Sequence, residues 1–246
     1  QILVDKGEML PLMEEFYTIQ GEGFHTGTAA YFIRVGGCDV GCHWCDVKES
    51  WNADLHPPTA VENIITNAKK HAETIVITGG EPLLGWQRAY VDLLSHPKMT
   101  GLKEITFETN GTQELDPKLK AYLGHWQNVG MPFEREVTFS VSPKLSGSGE
   151  NRQDAVKAQI VCDYETIGTT YLKFVVATEQ DVEEAICTLG KYRDEGFKGH
   201  VYLMPVGGVE SVYSLNNRRV AELAMKNGLR YSDRLQVPLF KNAWGT

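Results

Sequence analysis

The sequence lacks the features of a membrane-spanning, a secreted and a nucleic-acid-binding protein. No run of apolar residues is long enough to cross a bilayer. The segment from Gln1 to Glu15 lacks the basic flank, apolar centre and small-residue cleavage site of a signal peptide. Formal net charge is −8, from 32 acidic and 24 basic residues, and no dense basic cluster is present for binding phosphate backbones. We therefore expect a cytoplasmic protein that acts on a small molecule, without direct contact to nucleic acid or membrane.

Cysteine is scarce, yet three of the five cysteines lie close together between positions 38 and 45. An odd number clustered in this way does not resemble a secreted disulfide framework. In a reducing compartment, such a cluster more often binds metal. Cys162 and Cys187 stand apart from the cluster, and we expect both to be small buried apolar residues.

The chain has 246 residues, 42% of them hydrophobic and 23% charged, which is enough to bury one full core. We expect a single domain over residues 1–246, in which short β-rich segments alternate with amphipathic ones. The predicted strands are Ala29–Val35, Thr74–Thr78, Glu104–Glu108, Glu136–Val141, Tyr171–Ala177 and His200–Met204. Helices are predicted near residues 60–71, 86–95, 117–123, 154–164, 180–193 and 216–227.

Six βα units with almost continuously apolar strands predict an α/β fold, a parallel sheet covered by helices. The length suits a partial (βα)6 barrel of the TIM-like type, because a full eight-unit barrel takes about 250 residues. The alternative is an open, doubly wound sheet. It is less favoured because no G-x-G-x-x-G motif follows the first predicted strand.

A C-x3-C-x2-C loop directly follows the first predicted strand, and thiolates in such a loop suit iron–sulfur clusters and zinc. The proposed metal ligands are Cys38, Cys42 and Cys45. Three cysteines leave one iron of a four-iron cluster without a protein thiolate, so a small ligand can bind there. Zinc with His43 as fourth ligand is less favoured, since His43 lies between two ligands and must fold back onto the same ion. A fourth thiolate from Cys162 or Cys187 has no support from spacing.

Four further short motifs follow predicted strands at the same relative position. They are TGGEP at 78–82, ETNG at 108–111, SPK at 142–144 and MPVGG at 204–208. Each one alone is compatible with a plain turn, because Gly and Pro are common turn residues. The carboxyl ends of parallel strands share one face of a barrel, where active sites are built. Their joint placement therefore favours a single site that includes the cysteine loop.

The cysteine loop, with an aromatic residue just before its last Cys, resembles the signature of the radical S-adenosylmethionine (SAM) superfamily. TGGEP resembles that superfamily's GGEP motif. Within it, TIQGEG at 18–23, Arg34, the two Cys-Asp pairs, TGGEPLL, SPK and the closing Trp244-Gly245 resemble the 7-carboxy-7-deazaguanine synthase family. This resemblance covers nearly the whole chain. Glycyl-radical activating enzymes share the cysteine spacing but are not expected to carry TIQGEG.

The resemblance implies a partial barrel of the radical SAM type holding a [4Fe-4S] cluster and SAM. In that superfamily the open iron chelates SAM, and reductive cleavage yields a 5′-deoxyadenosyl radical. The family converts 6-carboxy-5,6,7,8-tetrahydropterin to 7-carboxy-7-deazaguanine with loss of ammonia, on the 7-deazapurine route that includes queuosine of tRNA. The resemblance also implies a flavodoxin-type reductant and a homodimer. The non-catalytic alternative, an electron carrier or zinc-stabilised module, gives GGEP and SPK no purpose.

Site residues follow from the resemblance by matching position, and no residue is assigned a catalytic role. The residues implied to bind SAM are Trp44, Gly80, Glu81, Asn110, Ser142 and Lys144. The residues implied to bind the substrate are Ile19, Gln20, Gly21, Glu22, Arg34, Thr78 and Thr246. For Arg34 the alternative is a structural ion pair, and for Glu22 it is a solvated turn residue.

Two positions depart from the family pattern. The resemblance implies that most family members have Thr or Ser after Cys-Asp, where the hydroxyl helps to hold a magnesium ion, but Val47 has no side-chain oxygen. Magnesium is then absent, held through water, or supported by a nearby residue, and we expect weaker magnesium dependence. The candidate supporting residues are Asp46, Glu49 and Ser50. Near the end of the chain, Phe240 stands where a His is expected, and we expect the Thr246 carboxylate to reach the substrate.

Overall fold

The computed structural model describes residues 2–71 and 73–246, which form an α/β fold around a nine-stranded sheet. The strands are β1 Met9–Ile19, β2 Ala29–Val35, β3 Pro58–Ala60, β4 Thr74–Gly79, β5 Glu104–Thr109, β6 Glu136–Val141, β7 Thr169–Val176, β8 Val201–Pro205 and β9 Arg230–Tyr231. Their order is β3-β1-β2-β4-β5-β6-β7-β8-β9. Strands β2 and β4 to β9 are parallel, while β1 is antiparallel to both β2 and β3.

A helical segment follows each of the six predicted strands, as the (βα)6 prediction requires. The helices are α1 Ile2–Asp5, α2 Val61–Ala68, α3 Gln87–Ser95, α4 Pro117–Asn128, α5 Arg152–Ala155, α6 Ala158–Glu165, α7 Glu179–Asp194, α8 Glu210–Lys226 and α9 Gln236–Phe240. The strand order begins at β3 and ends at β9, so the barrel is partial. This confirms the predicted fold class. Across residues 2–71 and 73–246, no helix combines the length and apolar character that crossing a membrane requires.

Strand β1 is the largest element that the sequence pattern does not predict. Pro11 and two glutamates interrupt its apolar residues, but Pro11 pairs with Pro58 of the short edge strand β3, where a missing N–H is tolerated. Phe16 points into the barrel and stacks on Phe32 of β2, with ring centroids 5.1 Å apart. The hairpin of β1 and β2 therefore places the TIQGEG segment in the connection between them.

The face of the parallel strands that packs against the helices is apolar, whereas the face inside the barrel mixes apolar residues such as Phe32 and Val76 with polar ones, which refines the prediction of almost continuously apolar strands. Alternate residues such as Ile33, Ile77 and Phe107 are fully buried against the helices. The intervening residues point into the barrel, because successive side chains of a strand lie on opposite faces. Several of these inward residues are polar or charged near the carboxyl ends of the strands: Arg34, Thr78, Glu108, Ser140 and Lys173. The barrel interior is therefore polar at the end where the site was predicted.

Other predictions need local corrections. The predicted helix over 154–164 is divided into α5 and α6, and α8 begins at Glu210 rather than near residue 216. Cys187 on α7 is exposed rather than buried, because it lies on the face turned away from the sheet. Cys162 is only half-buried, although it packs against the core.

Candidate active site

A cavity of about 600 Å³ lies at the carboxyl ends of the parallel strands. It is lined by residues from the TIQGEG segment, the cysteine loop, the ends of β2 and β4 to β8, and the final segment of the chain. Fifteen of the sixteen site residues named from the sequence line this cavity, and the exception is Glu81. The structure thus brings together motifs that are spread over the whole chain.

The cysteine side of the cavity is the part lined by Cys38, Cys42, Cys45, Gly80 and Lys144. The loop that carries the cysteines leaves β2 and is anchored through its backbone. The N–H of Gly37 donates to the carbonyl of Ser50 at 2.6 Å, and that of Cys38 donates to the carbonyl of Trp51 at 3.1 Å. Burial raises the pKa of Cys38 to about 12 and also raises that of Cys42. Iron binding would offset this effect, because a cationic metal favours the thiolate.

The donor set fits an iron–sulfur cluster better than a zinc ion. The three cysteines share the cavity, but His43 does not line it, and its ring lies against Gly149. A single zinc ion at about 2.3 Å from each sulfur needs its ligands tightly gathered. Outside residues 1 and 72, no group of three or more His, Cys, Asp or Glu side chains has that arrangement. A four-iron cluster binds each cysteine at a different iron, so its thiolates are spread more widely.

The glycines of TGGEP allow β4 to end directly against the cysteine loop. A Cβ at Gly79 would lie 2.2 Å from the carbonyl oxygen of Val35, and one at Gly80 would lie 2.3 Å from that of Gly37. Neither distance is possible for a real side chain beside backbone atoms. The N–H of Glu81 also donates to the carbonyl of Gly37 at 2.8 Å. TGGEP is therefore not a plain turn, because its backbone forms part of the cavity next to Cys38.

Glu81, predicted to bind SAM, joins two motifs and is not among the residues that line the cavity. Its carboxylate is fully buried and accepts hydrogen bonds from the N–H groups of Leu83 and Asn110, at 2.9 and 2.7 Å. It also accepts from the hydroxyl of Thr109 at 2.8 Å. Burial raises the pKa of Glu81 to about 7, although these hydrogen bonds act in the opposite direction. Glu81 therefore positions the TGGEP and ETNG segments relative to each other.

Asp39, in the cysteine loop, makes a second connection that the sequence does not reveal. Its carboxylate accepts hydrogen bonds from the Nδ2 of Asn110 at 2.7 Å and the Nε2 of Gln113 at 2.8 Å. The hydroxyl of Thr112 also donates to it. Asp39 therefore fixes the cysteine loop to the segment that follows β5.

The SPK segment meets the aromatic residue of the cysteine loop. Lys144 Nζ lies 5.4 Å from the ring centroid of Trp44, within the range of a cation–π contact. The same Nζ donates to the hydroxyl of Ser142 at 3.3 Å. These contacts leave a cation and a hydroxyl beside the cysteines, suited to binding a carboxylate or other anionic group.

The charged side of the cavity is the part lined by Gln20, Glu22, Arg34, Lys173 and Arg234. At its centre, Glu22 Oε2 lies 2.5 Å from Lys173 Nζ, and its Oε1 accepts from Arg234 Nε at 3.3 Å. Burial would raise the pKa of Glu22, but the two cations outweigh it and hold the pKa well below its usual range. Glu22 is thus an ionised, nearly buried group, and the alternative of a solvated turn residue is wrong.

Contact with Gln236 accounts for glycine at position 21, the first glycine of TIQGEG. The Nε2 of Gln236 donates to Glu22 Oε1 at 2.9 Å, and its Oε1 would lie 1.9 Å from a Cβ at Gly21. That Oε1 is buried without a hydrogen-bond partner and belongs to a residue lining the cavity. Gln20 donates to Glu108 at 2.9 Å, so its amide is held in place as well.

Arg34 lies at the end of β2 and lines the cavity, where it also pairs with a neighbour on β1. Its Nε is 3.0 Å from Glu14 Oε1, without the alignment of a hydrogen bond, and its guanidinium lies 5.6 Å from the centroid of the Phe16 ring. Burial raises the pKa of Glu14, and Arg34 acts against that rise. Arg34 therefore forms a structural ion pair with Glu14 and also lines the cavity.

The described geometry agrees with comparisons to known proteins. A profile of the radical SAM superfamily matches residues 32–131. The 7-carboxy-7-deazaguanine synthase of Pyrobaculum aerophilum is 32% identical over 237 residues, which cover 95% of this chain and 96% of that protein. The chain belongs to the 7-carboxy-7-deazaguanine synthase family. The synthase of Halobacterium salinarum is 34% identical over 254 residues, covering 96% and 93% of the two proteins.

Two more comparisons support membership in the 7-carboxy-7-deazaguanine synthase family. The synthase of Flavobacterium psychrophilum is 82% identical over 83 residues, which span 34% of this chain and 40% of that protein. The crystal structure of QueE from Escherichia coli is similar over 94% of this chain and 96% of that one, with a TM-score of 0.58 and 25% identity. A [4Fe-4S] cluster and SAM are therefore the cofactors of this chain, and the cysteine side fits both.

The final segment of this family member lines the cavity beside the charged side. Residues 241–246 lie along it, and Lys241 and Asn242 have left-handed backbone angles, with φ of 57° and 54°. This turn brings Thr246 to the cavity, as expected for a substrate-binding residue. Phe240 does not line the cavity.

The residues suggested to support magnesium do not form a site for a hard cation. Val47 offers no side-chain oxygen, and the hydroxyl of the fully buried Ser50 donates to the carbonyl of Val47 at 2.7 Å. Glu49 does not line the cavity, and Asp46 is paired with Arg234. Magnesium prefers octahedral oxygen ligands. The side chains of Asp46, Glu49 and Ser50 do not offer a set of oxygen ligands that fits this requirement.

Proposed function

We propose that this chain converts 6-carboxy-5,6,7,8-tetrahydropterin to 7-carboxy-7-deazaguanine with release of ammonia, as a ring-contracting radical SAM lyase. The main support for the proposal is that the cysteine side and the charged side line one and the same cavity. The cysteine side suits the cluster and SAM, and the charged side suits a planar, polar heterocycle. A glycyl-radical activating enzyme must admit a protein substrate, and nothing in the TIQGEG segment serves that purpose.

When bound, the cluster and SAM supply a carbon radical that removes a hydrogen atom from the substrate. The chain's own contribution on this side is to hold SAM. The bare backbone at Gly80 would let the methionyl part of SAM come close, and the Ser142 hydroxyl and Lys144 ammonium would bind its polar groups. Trp44 would offer its backbone to the adenine, and Asn110, held by Asp39, lines the same side.

The charged side orients the pterin. Glu22 is kept ionised, so its carboxylate acts only as an acceptor and can receive N–H groups from the amide and amino edge of the ring. Gln20 and the backbone of Ile19 and Gly21 contact the same edge, while the planar fork of Arg34 suits a carboxylate or carbonyl. Thr78 and Thr246, which also line the cavity, are the remaining residues of this proposed pterin-binding site. Fixed contacts of this kind keep the reacting carbon close to the radical source.

An anaerobic assay tests the proposal. Reconstituted protein is mixed with SAM, dithionite and 6-carboxytetrahydropterin, and product is followed by mass spectrometry. We expect 7-carboxy-7-deazaguanine from the native chain and none when Cys38, Cys42 and Cys45 are changed together to Ala. Cys187→Ser, outside the cavity, is the matched control and should retain full activity. SAM cleavage to 5′-deoxyadenosine without this product would contradict the substrate assignment.

We also propose the surroundings in which the activity operates. A flavodoxin-type reductant supplies the electron, a cytoplasmic location keeps the cysteines reduced, and residues 1–246 act as one domain. We further propose a homodimer, supported by large exposed apolar side chains such as Leu215, which is 79% exposed, and Trp244, which is 63% exposed. Sedimentation at assay concentrations tests the dimer, and a single monomeric species would contradict it.

A further inference from the structure

Arg234 occupies a central position on the charged side of the cavity. It lies between β9 and α9, and its side chain is only 9% exposed. The next residue's N–H donates to the carbonyl of Gly21 at 3.0 Å, which fixes this stretch of backbone to the TIQGEG segment. Its Nε contacts Glu22 and its Nη2 contacts Asp46, whereas Nη1 takes part in neither contact.

Asp46 directly follows the last cysteine, so Arg234 links the two sides of the cavity. Asp46 also directly precedes Val47, whose side chain has no oxygen to offer a cation. The guanidinium already neutralises Asp46 and is itself always protonated. A divalent cation placed beside Asp46 would therefore meet a fixed positive charge at short range and be repelled.

The charges of the surrounding groups leave no excess of acid for a metal to neutralise. Glu22 and Asp46 carry two negative charges, and Lys173 and Arg234 carry two positive ones. The other acidic side chains that line the cavity, Glu14 and Glu108, are outnumbered by the other basic ones, Arg34, Lys144 and Lys241. Burial alone would lower the pKa of Lys173, but Glu22 and Glu108 raise it, so the ammonium stays charged. The cluster of four is balanced, unlike a set of carboxylates arranged for a metal ion.

We propose that Arg234 takes the place of a metal ion: its guanidinium binds the substrate carboxylate directly, and turnover requires no magnesium. The inference rests on the proposed function, because the anion in question is the pterin's carboxylate. Nε and Nη2 of Arg234 contact its counter-charges, Glu22 and Asp46, so the N–H groups on the Nη1 side of the planar guanidinium are the ones that bind the carboxylate. Arg234 is thus a specificity-determining residue of this chain.

The first test compares metal dependence in the reconstituted enzyme. We expect product formation with and without a chelator such as EDTA to differ less than about twofold, whether or not magnesium is added. Mn²⁺ serves as an EPR probe for binding, with the cluster left oxidised. We expect no Mn²⁺ to bind more tightly than roughly millimolar in the presence of pterin, either in the native chain or in Val47→Thr, because Arg234 remains in both.

The second test changes the residue itself. Arg234→Lys keeps the positive charge that Glu22 and Asp46 require, so the chain should fold, but it removes the planar fork. We expect the KM for the pterin to rise about tenfold or more while binding of SAM is unchanged. Arg218→Lys, on the exposed face of α8, is the matched control and should alter neither value.

Three outcomes overturn the inference. One is a tenfold loss of turnover on chelation that magnesium restores, the second is pterin-dependent binding of Mn²⁺, and the third is an unchanged KM in Arg234→Lys. Each of these leaves the formation of 7-carboxy-7-deazaguanine intact, so the proposed function survives. If the native chain cleaves SAM without forming this product, the proposed function fails and the inference fails with it.

Discussion

The two sides of the cavity are built in different ways. The cysteine side consists of loops joined by backbone hydrogen bonds, close glycine contacts and three buried or half-buried cysteines, and it is complete only when iron and SAM are bound. The charged side is already complete, because Glu22, Lys173 and Arg234 satisfy one another in the chain alone. The comparison shows that one side depends on its cofactors for its electrostatics, whereas the other is organised before any ligand arrives.

The largest expected effect comes from breaking the charged side. Glu22→Gln leaves Lys173 and Arg234 without their shared counter-charge in a nearly buried position, which should cost about 3–5 kcal/mol in the free energy of unfolding. Urea unfolding measures this cost. Glu62→Gln, which removes an exposed partner of Lys98, is the control and should give no measurable change. A loss in Glu22→Gln no larger than the control's would show that the charged side is not organised in advance.

The second effect distinguishes the buried carboxylates on the two sides by their response to pH. The pKa of Glu81 rises from 4.5 to about 7 on folding, so its stabilising contribution is full below pH 4.5 and disappears as pH rises through 7. That loss amounts to about 3 kcal/mol, since one pKa unit corresponds to about 1.4 kcal/mol. The folded pKa of Glu22 is lowered, so its contribution is present above pH 4.5 and disappears as pH falls.

Unfolding free energies of the native chain and Glu81→Gln between pH 4.5 and 7.5 measure this difference. We expect the native chain to lose stability relative to the variant as pH rises. In a parallel series below pH 4.5, the native chain should lose stability relative to Glu22→Gln as pH falls. Parallel pH profiles for the native chain and Glu81→Gln would contradict a raised pKa of Glu81 and would mean that its hydrogen bonds fully offset its burial.

The third effect breaks the cysteine side without touching a thiol. Gly80→Ala places a Cβ 2.3 Å from the carbonyl oxygen of Gly37, so one backbone segment must move. We expect SAM affinity to fall roughly 10- to 100-fold, with pterin affinity unchanged. Gly124→Ala in α4 has open space around the new Cβ and should stabilise the chain by up to about 1 kcal/mol. Equal losses of SAM and pterin affinity would argue against two separate sides.

The smallest effect concerns the connection between the cysteine loop and β5. Asp39→Asn keeps the shape of the side chain but weakens its bonds to Asn110, Thr112 and Gln113. We expect a loss of about 1 kcal/mol, seen as a several-fold higher KM for SAM with kcat unchanged. Steady-state kinetics with SAM as the varied substrate give both values, and a fall in kcat alone would contradict a positioning role.

The sequence predicts six of the seven parallel strands, β2 and β4 to β8, because each contains a short run of apolar residues that must be buried. It does not predict β1, because Pro11 and the following glutamates break the pattern, and the edge position that tolerates them is a tertiary feature. The motifs TGGEP, ETNG and SPK locate the cysteine side well, because each is contiguous and ends a strand. Only Glu81 differs from this prediction, because it is buried outside the cavity, and burial depends on packing rather than on the motif.

Two of the five residues that define the charged side, Lys173 and Arg234, are not predicted from the sequence, because they come from parts of the chain distant from the TIQGEG segment. Lys173 does leave one signal, a single charge within the apolar strand YLKFVVA, which indicates an inward side chain with a partner. Arg234 leaves none, since the surrounding SDRLQ segment has no periodic pattern. Its importance appears only when α9 is placed beside the TIQGEG segment.

The contact between Gly21 and Gln236 has a consequence for how such sequences diverge. A Cβ at position 21 would lie 1.9 Å from Oε1 of Gln236, so a residue larger than glycine there requires that side-chain amide to move or residue 236 to become smaller. Loss of Gln236 in turn removes a donor from Glu22. Positions 21 and 236 are therefore expected to covary. The first glycine of TIQGEG, Gly21, thus depends on which residue is present near the other end of the chain.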